Sequence, residues 1–210
     1  NNELFFIATT SDKGRELWKT NGTTSGTTIV KDINPNSADA RIGDLIVFNN
    51  KLYFTANDGV NGDELWMSDG TSSGTQIVKN IASGSTNSTP RDFILFNSKL
   101  YFTANDGNTG RELWVSDGTD SGTYLINDLM NGGNGSHPEE LTEFNGNLIF
   151  FMFVLDEFHL IFSSIQLNAI KQSVFKIPAL SSNDRIEISP KSAYTVIASL
   201  WLINGRMFGV

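Results

Sequence analysis

The chain has 210 residues and no cysteine. Disulfides and thiolate metal centres are therefore excluded, and the composition is equally compatible with the cytosol and with export from a bacterium. Histidine is scarce as well, with His137 and His159 the only two. No serine sits in a nucleophile-elbow phrase, and no glycine-rich loop stands between a strand and a helix, so the usual frameworks for acyl or phosphoryl transfer are missing. Basic residues are outnumbered, 15 against 23 acidic, for a net charge of -8. A nucleic-acid backbone or an anionic membrane needs a basic face, so neither is expected as a partner. Long apolar runs are also lacking. The nearest, LIFFMFVLDEFHLIF at 148–162, is interrupted by Asp156, Glu157 and His159, which argues against a membrane span. The chain opens NNELFFIATT, without an initiating Met or a signal segment, and reads as an excerpt from something longer.

What is present is repetition. Gly14, Gly62 and Gly110 stand 48 residues apart, as do Trp18, Trp66 and Trp114, and Phe48, Phe96 and Phe144. Setting 49–96 against 97–144 without a gap gives 25 identities. A strict period with no insertions means one structural unit copied and stacked.

Within the unit that starts at Asp44, four segments are rich in β-branched and aromatic residues: DLIVFN, LYFTAN, ELWMSD and TQIVKNI. Gly, Asn, Asp and Ser fill the gaps between them. Three short connections and one longer crossover, ASGSTNSTPR at 82–91, describe a four-stranded antiparallel meander. Gly and Asn interrupt every segment too often for helical repeats. The predicted class is all-β: a β-propeller-like array of four-stranded antiparallel blades with a 48-residue period, incomplete and therefore an open arc. The expected units are a partial blade at 1–33, blades at 44–81 and 92–129, and the start of a fourth from 140.

The phrases GRELWKTNGTTSGTTIVKDI (14–33), GDELWMSDGTSSGTQIVKNI (62–81) and GRELWVSDGTDSGTYLINDL (110–129) resemble the ELWxxDGT repeat family. The resemblance covers 1–150. It implies a propeller-type repeat array in a large bacterial protein, often an exported one, hence an extracellular or cell-surface location. Some members also carry calcium-binding segments. Unit one departs from the motif, with Asn21 where Asp69 and Asp117 stand in the others.

The register breaks after Phe150, where TANDG is expected and FMFVLDEFHLIF follows. Seventeen of the 19 glycines lie before residue 148, so the turn chemistry of the repeat stops there. Residues 151–210 read as an irregular tail, either a capping segment or sequence out of frame with the repeat.

Three features of the repeat are candidate sites. In the DGT phrase, Asp-Gly signals a tight hairpin turn, and Asn21 in unit one supports a turn over a calcium ligand, because Asn would surrender the charge. In the ANDG loops, the plain reading is again a turn; the alternative makes Asp58 and Asp106 weak calcium ligands. In Glu-Leu-Trp, alternation along a strand places Glu16 with Trp18, Glu64 with Trp66, and Glu112 with Trp114 on one face. Such a pair could stack on a sugar and accept its hydroxyls. It could equally fill the space between sheets, with the acid accepting hydrogen bonds from a neighbouring turn. The expected function is non-catalytic, as scaffold, adhesion or protein-interaction surface, without an obligatory cofactor. The alternative is a lectin-like propeller whose partner is a carbohydrate.

Overall fold

The computed structural model describes residues 3–144, 146–154, 157–166 and 169–176. The chain divides into two compact units, Asn1–Glu139 and Glu140–Val210. Among the described residues every regular element is a strand.

The first unit contains three sheets. Strands β1 (Leu4–Thr10), β2 (Gly14–Thr20) and β3 (Thr28–Lys31) form the first sheet in that order. The second is β4 (Gly43–Phe48), β5 (Lys51–Asn57), β6 (Asp63–Ser68) and β7 (Gln76–Lys79). The third is β8 (Arg91–Phe96), β9 (Lys99–Asn105), β10 (Arg111–Ser116) and β11 (Tyr124–Leu125). Each is an antiparallel meander, and equivalent strands are offset by 48 residues. The turn between β4 and β5 has Asn49 and Asn50 at φ 49 and 57, and Asn97 and Ser98 repeat this at φ 47 and 57. Two consecutive left-handed residues match the twist of the flanking strands, which is why Asn recurs there.

Strand alternation explains how the sheets stack. On β5 and β6, Leu52, Phe54, Ala56 and Trp66 point to one face, while Tyr53 and Leu65 point to the other. The first set meets Leu17, Val30 and Ile33 of the first sheet and its linker in one buried cluster. The second set, with Val78 and Ile81, meets Leu100, Phe102, Ala104 and Trp114 of the third sheet in another. The two clusters are the same interface moved along by 48 residues. Phe54 and Phe102 are fully enclosed, and each such side chain contributes roughly 2–3 kcal/mol.

The linkers run between neighbouring sheets. Ala40 donates its N–H to the Arg15 carbonyl (3.1 Å) and accepts from Asn57 N–H (2.8 Å), and Ser88 bridges Asp63 and Asn105 in the same way. The second unit holds a fourth antiparallel sheet, β12 (Glu139–Phe144), β13 (Asn147–Val154), β14 (Glu157–Gln166) and β15 (Ala169–Lys176). Strand β13 runs through the point where the repeat register ends, and β14 and β15 complete the sheet from sequence that lacks the repeat pattern. The rest of the expected tail, 177–210, lies outside the described residues.

Candidate functional site

The Glu-Leu-Trp triplet lies on β6 and β10, the third strands of the second and third sheets, and on β2, the middle strand of the first. Glu16, Glu64 and Glu112 are all completely buried. Each carboxyl turns onto the linker that leaves its own sheet. Glu16 accepts from the N–H groups of Ile33 (3.0 Å) and Asn34 (3.1 Å). Glu64 accepts from Ile81 (2.8 Å) and Ala82 (3.1 Å), again 17 and 18 residues further on. Glu112 is bonded by the backbone of Leu129 and by Ser136 N–H at 2.7 Å. Linker amides have no sheet partner, so an acid on the adjacent strand supplies the acceptor that burial would otherwise deny them.

Burial is the main cause that raises the carboxyls of Glu16 and Glu64 to a pKa of about 7, against the bonds from the linker amides, and it raises Glu112 as well. Ser88 Oγ lies 2.9 Å from the Asp63 carbonyl oxygen and 2.6 Å from Glu64 Oε2. A serine has one hydroxyl hydrogen, and a carbonyl can only accept. The shorter contact is the one to Glu64, where Ser88 donates and so favours the charged carboxylate, while the Asp63 carbonyl already accepts from the N–H groups of Ser88 and Thr89. Ser136 repeats the hydroxyl contact at Glu112. The linker after the first sheet has Ala40 at the equivalent place, so Glu16 lacks this partner. Sequence reasoning did not single out Ser88 and Ser136, although both are among the positions identical at the 48-residue spacing.

The tryptophans divide. Trp66 and Trp114 are 5% and 6% exposed and belong to the two inter-sheet clusters, whereas Trp18 is half-buried. All three indole Nε1 atoms are enclosed without a hydrogen-bond partner. An unpaired buried N–H is unfavourable by about 1–3 kcal/mol; the apolar area of the ring outweighs it. Lys31 of the first sheet places Nζ 5.7 Å from the centre of the Trp66 ring and donates to the Thr75 carbonyl at 2.8 Å. Lys79 reaches the next loop along, at Asp120, in the same manner.

The DGT phrase joins the antiparallel strands β6 and β7 as expected, but through a longer loop at 69–75 that is closed by side chains and not through a tight turn. Only Gly70 of the pair has positive φ, at 88. Asp69 Oδ1 accepts from the N–H (2.9 Å) and hydroxyl (2.7 Å) of Thr71, whose Oγ1 accepts from Gly74 N–H (3.0 Å). Asp117 does the same, and so does Asn21 through its amide oxygen, at 3.1 Å and 2.7 Å from Thr23. The motif needs the oxygen and not the charge. Gly26, Gly74 and Gly122 leave room for that capping side chain.

The ANDG loops are likewise closed on themselves. Asp58 Oδ1 accepts from the N–H groups of Val60 (2.9 Å) and Asn61 (2.8 Å), and Asp106 Oδ1 accepts from Asn108 and Thr109. Burial opposes ionisation of both, but these bonds together hold the carboxyls below their ordinary value. Asp44, Leu45, Ile46, Asp92 and Phe93 line an open cleft of about 320 Å³ between β4 and β8. There Asp92 accepts from the Thr103 hydroxyl and pairs with Arg91. His137 is exposed in the last linker of the first unit, and the His159 side chain lies outside the described residues. Among the described residues no group of three or more His, Asp or Glu side chains is placed to share a metal ion. No described helix is long and apolar enough to cross a membrane.

No protein-family model matches the chain, and no curated protein matches it. Among solved structures, one described in a structural and mechanistic analysis of two prolyl endopeptidases is similar, with a TM-score of 0.52 and 8% identity. The match covers 86% of this chain and 26% of that one, so the chain spans about a quarter of the neighbour's length. At that identity the likeness bears on fold alone.

Proposed function

We propose that the chain carries a stack of propeller-type blades and serves as a non-catalytic scaffold, adhesion or protein-interaction module in a larger exported bacterial protein. One observation carries this reading: the repeated Glu-x-Trp pair is consumed by the architecture. Glu64 is fully buried on linker amides, and Trp66 and Trp114 lie between sheets. The similar structure and the 48-residue offset of the sheets support the propeller geometry. The internally satisfied Asp58 and Asp106 support plain loop closure over calcium binding. The glycan-binding alternative keeps one foothold, the half-buried Trp18.

A glycan array probed with the wild-type chain and with Trp66→Ala and Trp114→Ala variants separates the two. A clearly lowered Tm in both variants, with no glycan binding to lose, is the expected result. Glycan binding that disappears while each variant keeps its wild-type melting curve would establish the lectin instead.

A further inference from the structure

The first sheet has two apolar faces. Phe5, Ile7, Leu17 and Val30 belong to the cluster shared with the second sheet. On the other face stand Leu4, Phe6, Ala8, Trp18 and Ile29, with Phe6 paired to Trp18 and Trp18 to Ile29. Moved by 48 residues, these are Leu52, Phe54, Ala56, Trp66 and Ile77, in the same register. The copies on the second and third sheets are covered by the sheet before them. Among the described residues no sheet covers the copy on the first sheet: Leu4 is 66% exposed against 8% for Leu52 and 0% for Leu100, and Phe6, Trp18 and Ile29 are only half-buried.

Two further features, one steric and one polar, repeat the pattern. A Cβ placed on Gly70 or Gly118 would meet Phe5 or Tyr53 of the preceding sheet, whereas at Gly22 it would meet nothing within 4 Å. Lys31 and Lys79 each reach forward to the next DGT-type loop. The loop at 21–27 is the first of the series, so no lysine from an earlier described copy reaches it.

We infer that the Leu4/Phe6/Trp18 face is a docking surface for one further sheet of this same repeat. Its partner brings Leu at the Leu17 position, an aromatic ring at the Phe5 position to lie on Gly22, and Lys at the Lys31 position to reach the carbonyls of 24–27 across Trp18. This rests on the stacked-repeat reading above and adds the identity of the partner. The surface continues, copy for copy, an interface the chain already forms twice.

Two extended full-length chains test it. In one, a copy of residues 44–91 followed by 44–48 is joined before Asn1, which keeps the period and supplies both a preceding sheet and a fourth strand for the first sheet. In the other only 44–48 is joined, supplying the strand alone. Trp18→Ala is expected to lower the Tm of the longer chain as much as Trp66→Ala does, by about 5 °C or more, and to lower that of the shorter chain by less than half as much. Equal losses from Trp18→Ala in both extended chains would overturn the inference.

A reading on the unextended chain covers the case in which the longer one does not fold. Leu4→Lys is expected to leave its Tm within about 2 °C of wild type, and Leu52→Lys to abolish the folded state. Equal intolerance would mean the face is already covered. Concentration-dependent dimerisation abolished by Leu4→Lys would make a second copy of the chain the occupant and also overturn it. Either failure is distinguishable from failure of the stacked-repeat reading, which would instead show as a harmless Trp66→Ala.

Discussion

A carboxyl sealed from water must be neutral or fully hydrogen-bonded, and Glu64 is placed to use both solutions. Its folded pKa of about 7 lies above the ordinary 4.5, because burial outweighs the donors around it. The folded state therefore binds this proton more tightly than the unfolded chain does. That contribution to stability is fully present below about pH 4.5 and is lost as pH rises through about 7. Glu16 shifts the same way and to the same value. Asp58 and Asp106 are shifted downward, so their contribution is lost only in acid and stays constant from pH 5 to 8. The chain is thus expected to lose stability between pH 5 and 8, on the order of 2 kcal/mol for each of Glu16 and Glu64. Glu64→Gln should flatten that slope while lowering stability overall, since its amide nitrogen cannot accept from a linker N–H. Urea unfolding at several pH values measures both; a slope unchanged in Glu64→Gln would assign the dependence to another group.

At the scale of the element, the DGT loop and its flanking glycines make a graded series possible. Gly22 needs only its positive φ of 89, since no atom lies within 4 Å of the Cβ position. Gly70 has φ 88 and a Phe5 ring carbon at 3.0 Å from that position. Gly62 has φ 75 and the Thr86 backbone oxygen at 2.4 Å. A ring edge can give way and a backbone carbonyl cannot. Substitution by Ala is therefore expected to cost about 1 kcal/mol at Gly22, about 2 at Gly70 and 3 or more at Gly62. Thermal melts of the three variants check the order, and a Gly22→Ala variant as damaged as Gly62→Ala would contradict it. Asp69→Asn should leave Tm unchanged because Asn21 already performs the role, whereas Asp69→Ala should lower it.

Much at this scale was legible beforehand. The strands follow from β-rich segments between turn residues, and Asn21 already demoted its loop from a charged site to a turn. The Asp-Gly hairpin is present, with β6 paired antiparallel to β7, but its loop is longer than a tight turn because Asp69 caps it with its side chain and leaves positive φ to Gly70 alone. The destination of Glu64 was only half visible. A turn contact is a reasonable guess for an acid beside Trp, but the linker amides lie 17 and 18 residues away, a separation no local pattern reports. Strands β14 and β15 were not foreseen, because their sequence carries none of the repeat's turn chemistry.

For the whole molecule, the first unit is one interface used twice, with the linker passing between the sheets and the buried Glu holding it there. The amides of Ile33, Ile81 and Ala82 lie beyond the ends of β3 and β7, so nothing in the sheets protects them. Native-state hydrogen exchange at these three positions tests most directly whether the buried Glu holds the linker. Protection within about 1 kcal/mol of the global unfolding free energy is expected for all three. In Glu64→Ala, Ile81 and Ala82 should exchange far faster while Ile33 stays protected. Rapid exchange at Ile81 and Ala82 in the wild-type chain would contradict the architectural role of the Glu-x-Trp motif.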